Sequence, residues 1–174
     1  AARVLGIPAD AVLVGSTGVI GMQIPIDRIK AGISKLAEAK SDTIEAGTDA
    51  AKAIMTTDTC KKEIAVEVEI GGTTITIGGM AKGSGMIHPN MCTMLGFVTT
   101  DAAITKTALQ KALSDDVQDT YNMVSVDGDT STNDTVLLLA NGMAGNPEIV
   151  EGTPEYEVFK QALHEVNVYL AKAI

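Results

Sequence analysis

Ile64-Ala65-Val66-Glu67-Val68-Glu69-Ile70-Gly71-Gly72-Thr73-Thr74-Ile75-Thr76-Ile77 alternates apolar and smaller or polar side chains on both sides of a glycine pair. A period of two is that of a strand with one buried face, and paired glycines accept the positive φ of a tight turn. The stretch therefore reads as a β-hairpin. Downstream, a glycine-rich segment over residues 78–91 leads into a second apolar run at 93–100, read as a strand entering the core. A helical pattern at about 104–117 follows, then a strand near 122–126, the turn Asp127-Gly128-Asp129 and a buried strand at 135–140. Residues 141–152 read as a long surface loop. In the last helix Thr153 caps, Pro154 fits the first turn, and Phe159, Ala162, Leu163, Val166 and Leu170 supply the buried face.

Upstream of the hairpin, residues 11–15 read as a short buried strand, followed by the small-residue turn Ser16-Thr17-Gly18-Val19-Ile20-Gly21. A helix begins near Pro25 and places Ile26, Ile29, Ile33, Leu36 and Ala37 on one face. A small, alanine-rich helix spans about 45–55 and ends at Thr56-Thr57-Asp58-Thr59. Strands and helices intermingle along the chain, so the expected class is α/β, with mixed sheets packed against helices. With no repeat and no long linker, residues 1–174 read as one α/β domain. The start at Ala1 and a final helical run without a stop signal lead to the expectation that both ends are truncated.

Composition narrows the function classes. Of the 174 residues 45% are hydrophobic and 20% charged, which suits a globular protein rather than a disordered one. A net charge of −9, from 22 acidic and 13 basic residues, together with 3% aromatics, argues against a nucleic-acid partner. No apolar run approaches the roughly 20 residues of a membrane span, so a membrane role is not expected and a cytoplasmic location is. Two cysteines, Cys60 and Cys92, make no disulfide framework, and reduced thiols are expected.

The stretch with the most chemical character is Gly78-Gly79-Met80-Ala81-Lys82-Gly83-Ser84-Gly85-Met86-Ile87-His88-Pro89-Asn90-Met91-Cys92-Thr93-Met94-Leu95-Gly96-Phe97. It is not a phosphate-binding P-loop, because the lysine precedes the glycine in Lys82-Gly83-Ser84. Spacing alone leaves open a tight loop between strands. Asp127, Asp129, Ser131 and Asn133 suggest a calcium loop, but Thr132 and Leu138 stand where glycine and glutamate are needed. No metal site and no cofactor are expected, and His88 and His164 are read as structural. Ser84 has no visible activating partner and is read as a loop residue.

Lys82-Gly83-Ser84-Gly85-Met86-Ile87-His88-Pro89-Asn90-Met91, followed by a small residue and Thr93-Met94-Leu95, resembles the self-cleavage motif of the ornithine acetyltransferase (glutamate N-acetyltransferase) family. Ser16-Thr17-Gly18-Val19-Ile20-Gly21, Thr56-Thr57-Asp58-Thr59 and residues 127–135 are similar to further blocks of that family, in the same order. The resemblance implies a self-processing threonine acyltransferase fold. It implies autocatalytic cleavage between Cys92 and Thr93, with 1–92 ending one product chain and 93–174 starting the other. Cys92 stands where alanine is common in the family.

By the same resemblance Thr93 is the catalytic nucleophile, Thr17 and Gly18 form the oxyanion hole, and Thr56, Lys82 and Thr93 contact substrate. Each also has a plainer reading. Thr17 and Gly18 suit an ordinary strand-to-helix turn, and a lone lysine is most often a solvated charge. The implied reaction moves acetyl from N2-acetyl-L-ornithine to L-glutamate through an acetyl-threonine, as a step of arginine biosynthesis. Some relatives also take acetyl from acetyl-CoA, and an α2β2 assembly of the two cleavage products is implied. Two alternatives remain at this stage: a related self-processing N-terminal-nucleophile amidohydrolase or aminopeptidase, and an inactive chain that never cuts itself.

Overall fold

The computed structural model describes residues 1–19, 21–85, 94–128 and 131–174. Its centre is a four-stranded sheet in the order β1 (Lys62–Ile70), β2 (Thr73–Lys82), β3 (Leu95–Thr100), β4 (Thr135–Ala140). The hairpin forms as its alternation requires: β1 and β2 pair antiparallel from Ile70↔Thr73 to Lys62↔Ala81, and Gly71 and Gly72 both take positive φ at the turn. β2 pairs antiparallel with β3, whereas β3 and β4 run parallel. A parallel pair needs a long crossover, and α4 (Lys106–Asp119) supplies it. The mixed α/β class is the one the order of elements implied.

α5 (Pro154–Ala173) packs on β1, β2 and α4. The Thr153 hydroxyl accepts from the Tyr156 N–H at 3.3 Å and Pro154 occupies the first turn. The expected face is buried: Phe159, Ala162, Leu163, Val166 and Leu170 join Ile75, Ile77 and Val98 in one core. Helix and sheet approach closely at Gly79. A Cβ there would stand 2.9 Å from Leu170 Cδ1, 3.1 Å from Val166 Cγ1 and 3.3 Å from Val98 Cγ2. Gly79→Val should therefore destabilise the protein by about 1–3 kcal/mol, as overpacked core substitutions do. A urea titration with an unchanged midpoint would contradict this packing.

Several local expectations are corrected. Residues 12–19 form no strand; a short 3-10 turn at Ala9–Ala11 precedes them and Val14 is 77% exposed. An apolar run becomes a strand only if another strand pairs with it, and none of the described strands does. Residues near 122–126 likewise form a 3-10 turn, Tyr121–Met123, because buried Tyr121 is anchored through its hydroxyl to Asn167 Oδ1 at 3.2 Å. The 141–152 loop is not wholly superficial. Asn146 is buried, accepts from the Ala103 N–H at 2.8 Å and donates to the Ala103 carbonyl at 3.0 Å.

α2 (Ile26–Ala39) and α3 (Ile44–Ala53) occur close to their expected places. The apolar face of α2 forms as its spacing implied but is largely open, with Ile26, Ile29 and Leu36 exposed. Short α1 (Ala2–Leu5) packs against α2, while α3 packs against β1 and β2. No described helix is long and apolar enough to cross a membrane.

Candidate active site

One edge of the sheet gathers the end of β2 and the beginnings of β3 and β4. The register pairs Lys82 with Leu95 and Leu95 with Thr135, so three chain segments that lie far apart in sequence stand side by side. The Thr135 N–H also donates to the Met94 carbonyl at 3.2 Å. Met94 follows Thr93 directly in the chain. Cys92, Thr93 and His88 lie outside the described residues, as do Asp129 and Thr130; the site is therefore built from the groups around them.

The turn after α3 is fastened to this edge by Asp58. Its Oδ1 accepts from Lys62 Nζ at 2.5 Å and from the Gly83 N–H at 2.8 Å, while Oδ2 accepts from the Thr56 N–H at 3.2 Å. The two side chains are almost fully enclosed, Lys62 at 3% and Asp58 at 1% exposure. Burial by itself would raise the Asp58 carboxyl, but the Lys62 ammonium and the two N–H donors outweigh it and hold the group at about 2. A second tie joins the Thr57 and Ser84 hydroxyls at 2.6 Å. Asp58 and Lys62 were not singled out from sequence, although their i,i+4 spacing is visible there.

This clamp sets Thr56 beside Lys82. Lys82 Nζ donates to Thr56 Oγ1 at 3.4 Å, a long hydrogen bond, and the lysine is only 5% exposed. The solvated-charge reading of Lys82 is thus excluded. Among the described residues no carboxylate forms an ion pair with it. A buried ammonium with one weak partner among the described residues is costly to keep, and an incoming anion would complete it.

Across the edge, Asp134 Oδ1 accepts from the Met94 N–H at 2.8 Å. Burial pushes the Asp134 carboxyl up, opposed by the Met94 hydrogen bond and the Lys82 charge. Its Oδ2 is buried with no hydrogen-bond partner among the described residues. Nothing in the sequence could have paired residues 94 and 134, which the fold alone brings together.

Thr17 is half-buried and Gly18 exposed, in a segment without regular structure. Two residues before Thr17, Gly15 lies against β3, where a Cβ would stand 3.2 Å from Phe97 Cζ and 3.7 Å from Leu95 Cδ2. The segment therefore runs along the sheet face that carries Leu95 and its register partner Lys82. The described hydrogen bonds do not join Thr17 or Gly18 to Thr56 or Lys82.

A model of the ArgJ family matches residues 1–174, the whole chain. The chain belongs to the ArgJ family. Over 174 residues it is 59% identical to an "Arginine biosynthesis bifunctional protein ArgJ" of Symbiobacterium thermophilum, covering 100% of this chain and 43% of that protein. A protein of the same name in Lactococcus lactis is 55% identical over 95% of this chain and 41% of its own length. Among solved structures, an ArgJ of Bacillus halodurans is 48% identical over 46% of this chain and 38% of that one, with a TM-score of 0.45. The chain thus spans less than half the length of the curated ArgJ relatives it matches.

His164 lies apart from this edge chemistry, on α5. His164 is exposed and its Nδ1 meets Asp116 Oδ1 at 2.5 Å, while Cys60, a free and exposed thiol, lies between Asp58 and Lys62 in the chain. Among the described residues no cluster of three or more potential ligands could hold a metal.

Proposed function

We propose that this chain is part of an acetyltransferase that moves acetyl from N2-acetyl-L-ornithine to L-glutamate through an acetyl-threonine on Thr93. The observation that carries the reading is the sheet edge at which buried Lys82, Thr56 and the start of β3 converge, β3 beginning two residues after Thr93 in the chain. Both substrates carry a carboxylate, the charge that Lys82 lacks a described partner for. The names of the ArgJ relatives support the pathway.

The chemistry begins with the chain itself. The Thr93 hydroxyl attacks the Cys92 carbonyl, the Cys92–Thr93 C–N bond breaks, and the hydroxyl proton passes to the departing nitrogen. Water hydrolyses the resulting ester, leaving a Cys92 carboxylate and a Thr93 with free hydroxyl and α-amino groups. The amine serves as base while the hydroxyl takes acetyl from acetylornithine, releasing ornithine. Glutamate then takes the acetyl from the threonine ester. Thr17, through its hydroxyl, and Gly18, through its N–H, stabilise the tetrahedral oxyanion of each half-reaction.

In this reading residues 1–92 and 93–174 belong to different product chains of a single α/β unit, assembled as α2β2 in the cytoplasm. The word bifunctional in the relatives' names favours acetyl-CoA as a second donor. No cofactor takes part.

The test is to incubate the full-length protein with acetylornithine, with and without glutamate, and to sequence the N-termini of its pieces. Acetylglutamate formation and a new terminus at Thr93 are expected. Ornithine released at the same rate without glutamate would mark a hydrolase and overturn the reading. A chain that stays uncut would do the same.

Lys82→Met gives a further expected result. Removing a poorly paired buried ammonium should leave the melting temperature unchanged or raise it, while KM for glutamate and acetylornithine rises about tenfold to a hundredfold, as loss of one charge-assisted hydrogen bond implies. Unaltered KM for both substrates would remove Lys82 from the pocket.

A further inference from the structure

Two ladders of the sheet end on one rung. Lys82 pairs with Leu95 between β2 and β3, and Leu95 pairs with Thr135 between β3 and β4, each the last pair at that edge. End rungs open most readily, because one flank has no further pair to hold it. Here a carboxylate holds each strand one residue beyond the rung. Asp58 Oδ1 accepts from the Gly83 N–H at 2.8 Å on the β2 side, and Asp134 Oδ1 accepts from the Met94 N–H at 2.8 Å on the β3 side. The Thr135 N–H donates to the Met94 carbonyl at 3.2 Å, so residues 134 and 135 together grip both polar groups of the Met94 backbone.

The grip bears on Lys82 through Leu95. Side chains directly opposite on antiparallel strands have Cβ atoms about 4.5–5.5 Å apart, so Leu95 forms a wall beside the stem of Lys82 on the sheet face they share. Met94, Leu95 and Lys82 are all buried, and close-packed groups pass a displacement on to their neighbours. A β3 start that slipped would therefore move the ammonium. Burial, which raises the Asp134 carboxyl, is opposed by the Met94 hydrogen bond and by the Lys82 charge, so the carboxylate and the ammonium also sense each other across β3.

We propose that Asp134 is a positioning residue for the carboxylate-binding site at Lys82: by fastening Met94 it fixes the rung of Lys82, Leu95 and Thr135, and with it the place of the ammonium that receives the substrate's carboxylate. The inference rests on the reading of Lys82 as the anion partner of the substrate. Asp134 acts through Met94 and Leu95 rather than on the substrate. Asp58 fixes the same rung from the β2 side, so Lys82 stands between two fastened strand ends.

Binding of L-glutamate to the full-length enzyme reads this site without the chemistry, because glutamate has no acetyl group to transfer. Asp134→Leu removes the acceptor for Met94 and should weaken glutamate binding about tenfold, an ordinary size for coupling between two linked groups. Asp134→Asn keeps a side-chain carbonyl for the Met94 N–H and should restore binding, which mere loss of a nearby charge would not allow. An Asp134→Leu enzyme that folds and binds glutamate as the wild type does overturns the proposal. An Asp134→Asn enzyme as impaired as Asp134→Leu overturns it too.

Should Asp134→Leu fail to fold, the wild-type enzyme decides. Coupling is reciprocal, so glutamate must tighten the grip as much as the grip favours glutamate, and hydrogen exchange at the Met94 amide should slow about tenfold on saturation relative to that of Val98, deeper in the same strand. Exchange that slows no more at Met94 than at Val98 counts against the grip. A wild-type enzyme that binds no glutamate, or a Lys82→Met enzyme that binds it unimpaired, would instead sink the parent reading and this inference with it, which keeps the two failures apart.

Discussion

Thr93→Ala in the full-length enzyme should give one uncut polypeptide and acetyl transfer reduced by about 10⁴-fold or more, the scale seen when a covalent nucleophile is deleted. Two reactions disappear together because a single hydroxyl serves both. Thr93→Ser should still cut itself and retain measurable transfer, since it keeps the hydroxyl and loses only a methyl group that restrains χ1. The neighbouring thiol offers a control. Cys92→Ala should cut normally, and intact-mass measurement of enzyme trapped with acetylornithine should place the added acetyl on the piece that begins at Thr93. An acetyl adduct on any other residue would refute the assignment.

Asp58→Ala should be the most damaging substitution for stability near the site. It leaves the Lys62 ammonium, 3% exposed, without its partner, and breaking a buried ion pair costs about 3–5 kcal/mol. It also deprives the Thr56 and Gly83 N–H groups of their acceptor, so the turn and the end of β2 lose their tie. Asp58→Ala/Lys62→Met should regain most of the stability by removing the stranded charge, yet not the activity, because the two N–H groups stay unmatched. Chemical denaturation and acetyl transfer measured on both variants would show this split. Parallel recovery of the two properties would contradict the clamp.

Asp58 also predicts an acid dependence. Its folded carboxyl sits at about 2, below the ordinary 3.8, so the unfolded chain binds the proton more readily. The stability this group contributes, about 2 kcal/mol, is fully present above pH 4 and is lost as pH falls from about 4 to 2. In Asp58→Asn that part of the acid sensitivity should vanish. Retention of the full wild-type acid slope would assign it to other carboxylates.

Much of the fold was legible because local patterns and tertiary packing agree. The hairpin at residues 62–82 follows from strict alternation around Gly71 and Gly72, and α5 from its cap, its proline and its apolar stripe. Where the two disagreed, packing prevailed. Leu13 and Val14 are apolar enough for a strand but have no ladder partner among the described residues, so they form no strand and stay exposed. Residues near 122–126 were read as a strand, yet the hydroxyl of the preceding Tyr121 bonds Asn167 of α5, and a 3-10 turn serves that anchor better. The stripe on α2 was read correctly as a stripe, while what covers it is not a property of the helix.

The site divides in the same way. Thr56 and Lys82 were singled out because the residues around them resemble a family's blocks, and residue order alone excluded a phosphate loop and a calcium loop. The amino-acid sequence by itself determined the hairpin, the capped last helix and the family, because these depend on contacts and patterns within a few tens of residues. Only the tertiary structure decided that Lys82 is buried, that Asp58 ties Thr56 to Gly83, and that Asp134 holds Met94 from forty residues away. Burial and long-range hydrogen bonds arise from how separate elements meet at the sheet edge, and no local spacing encodes that meeting.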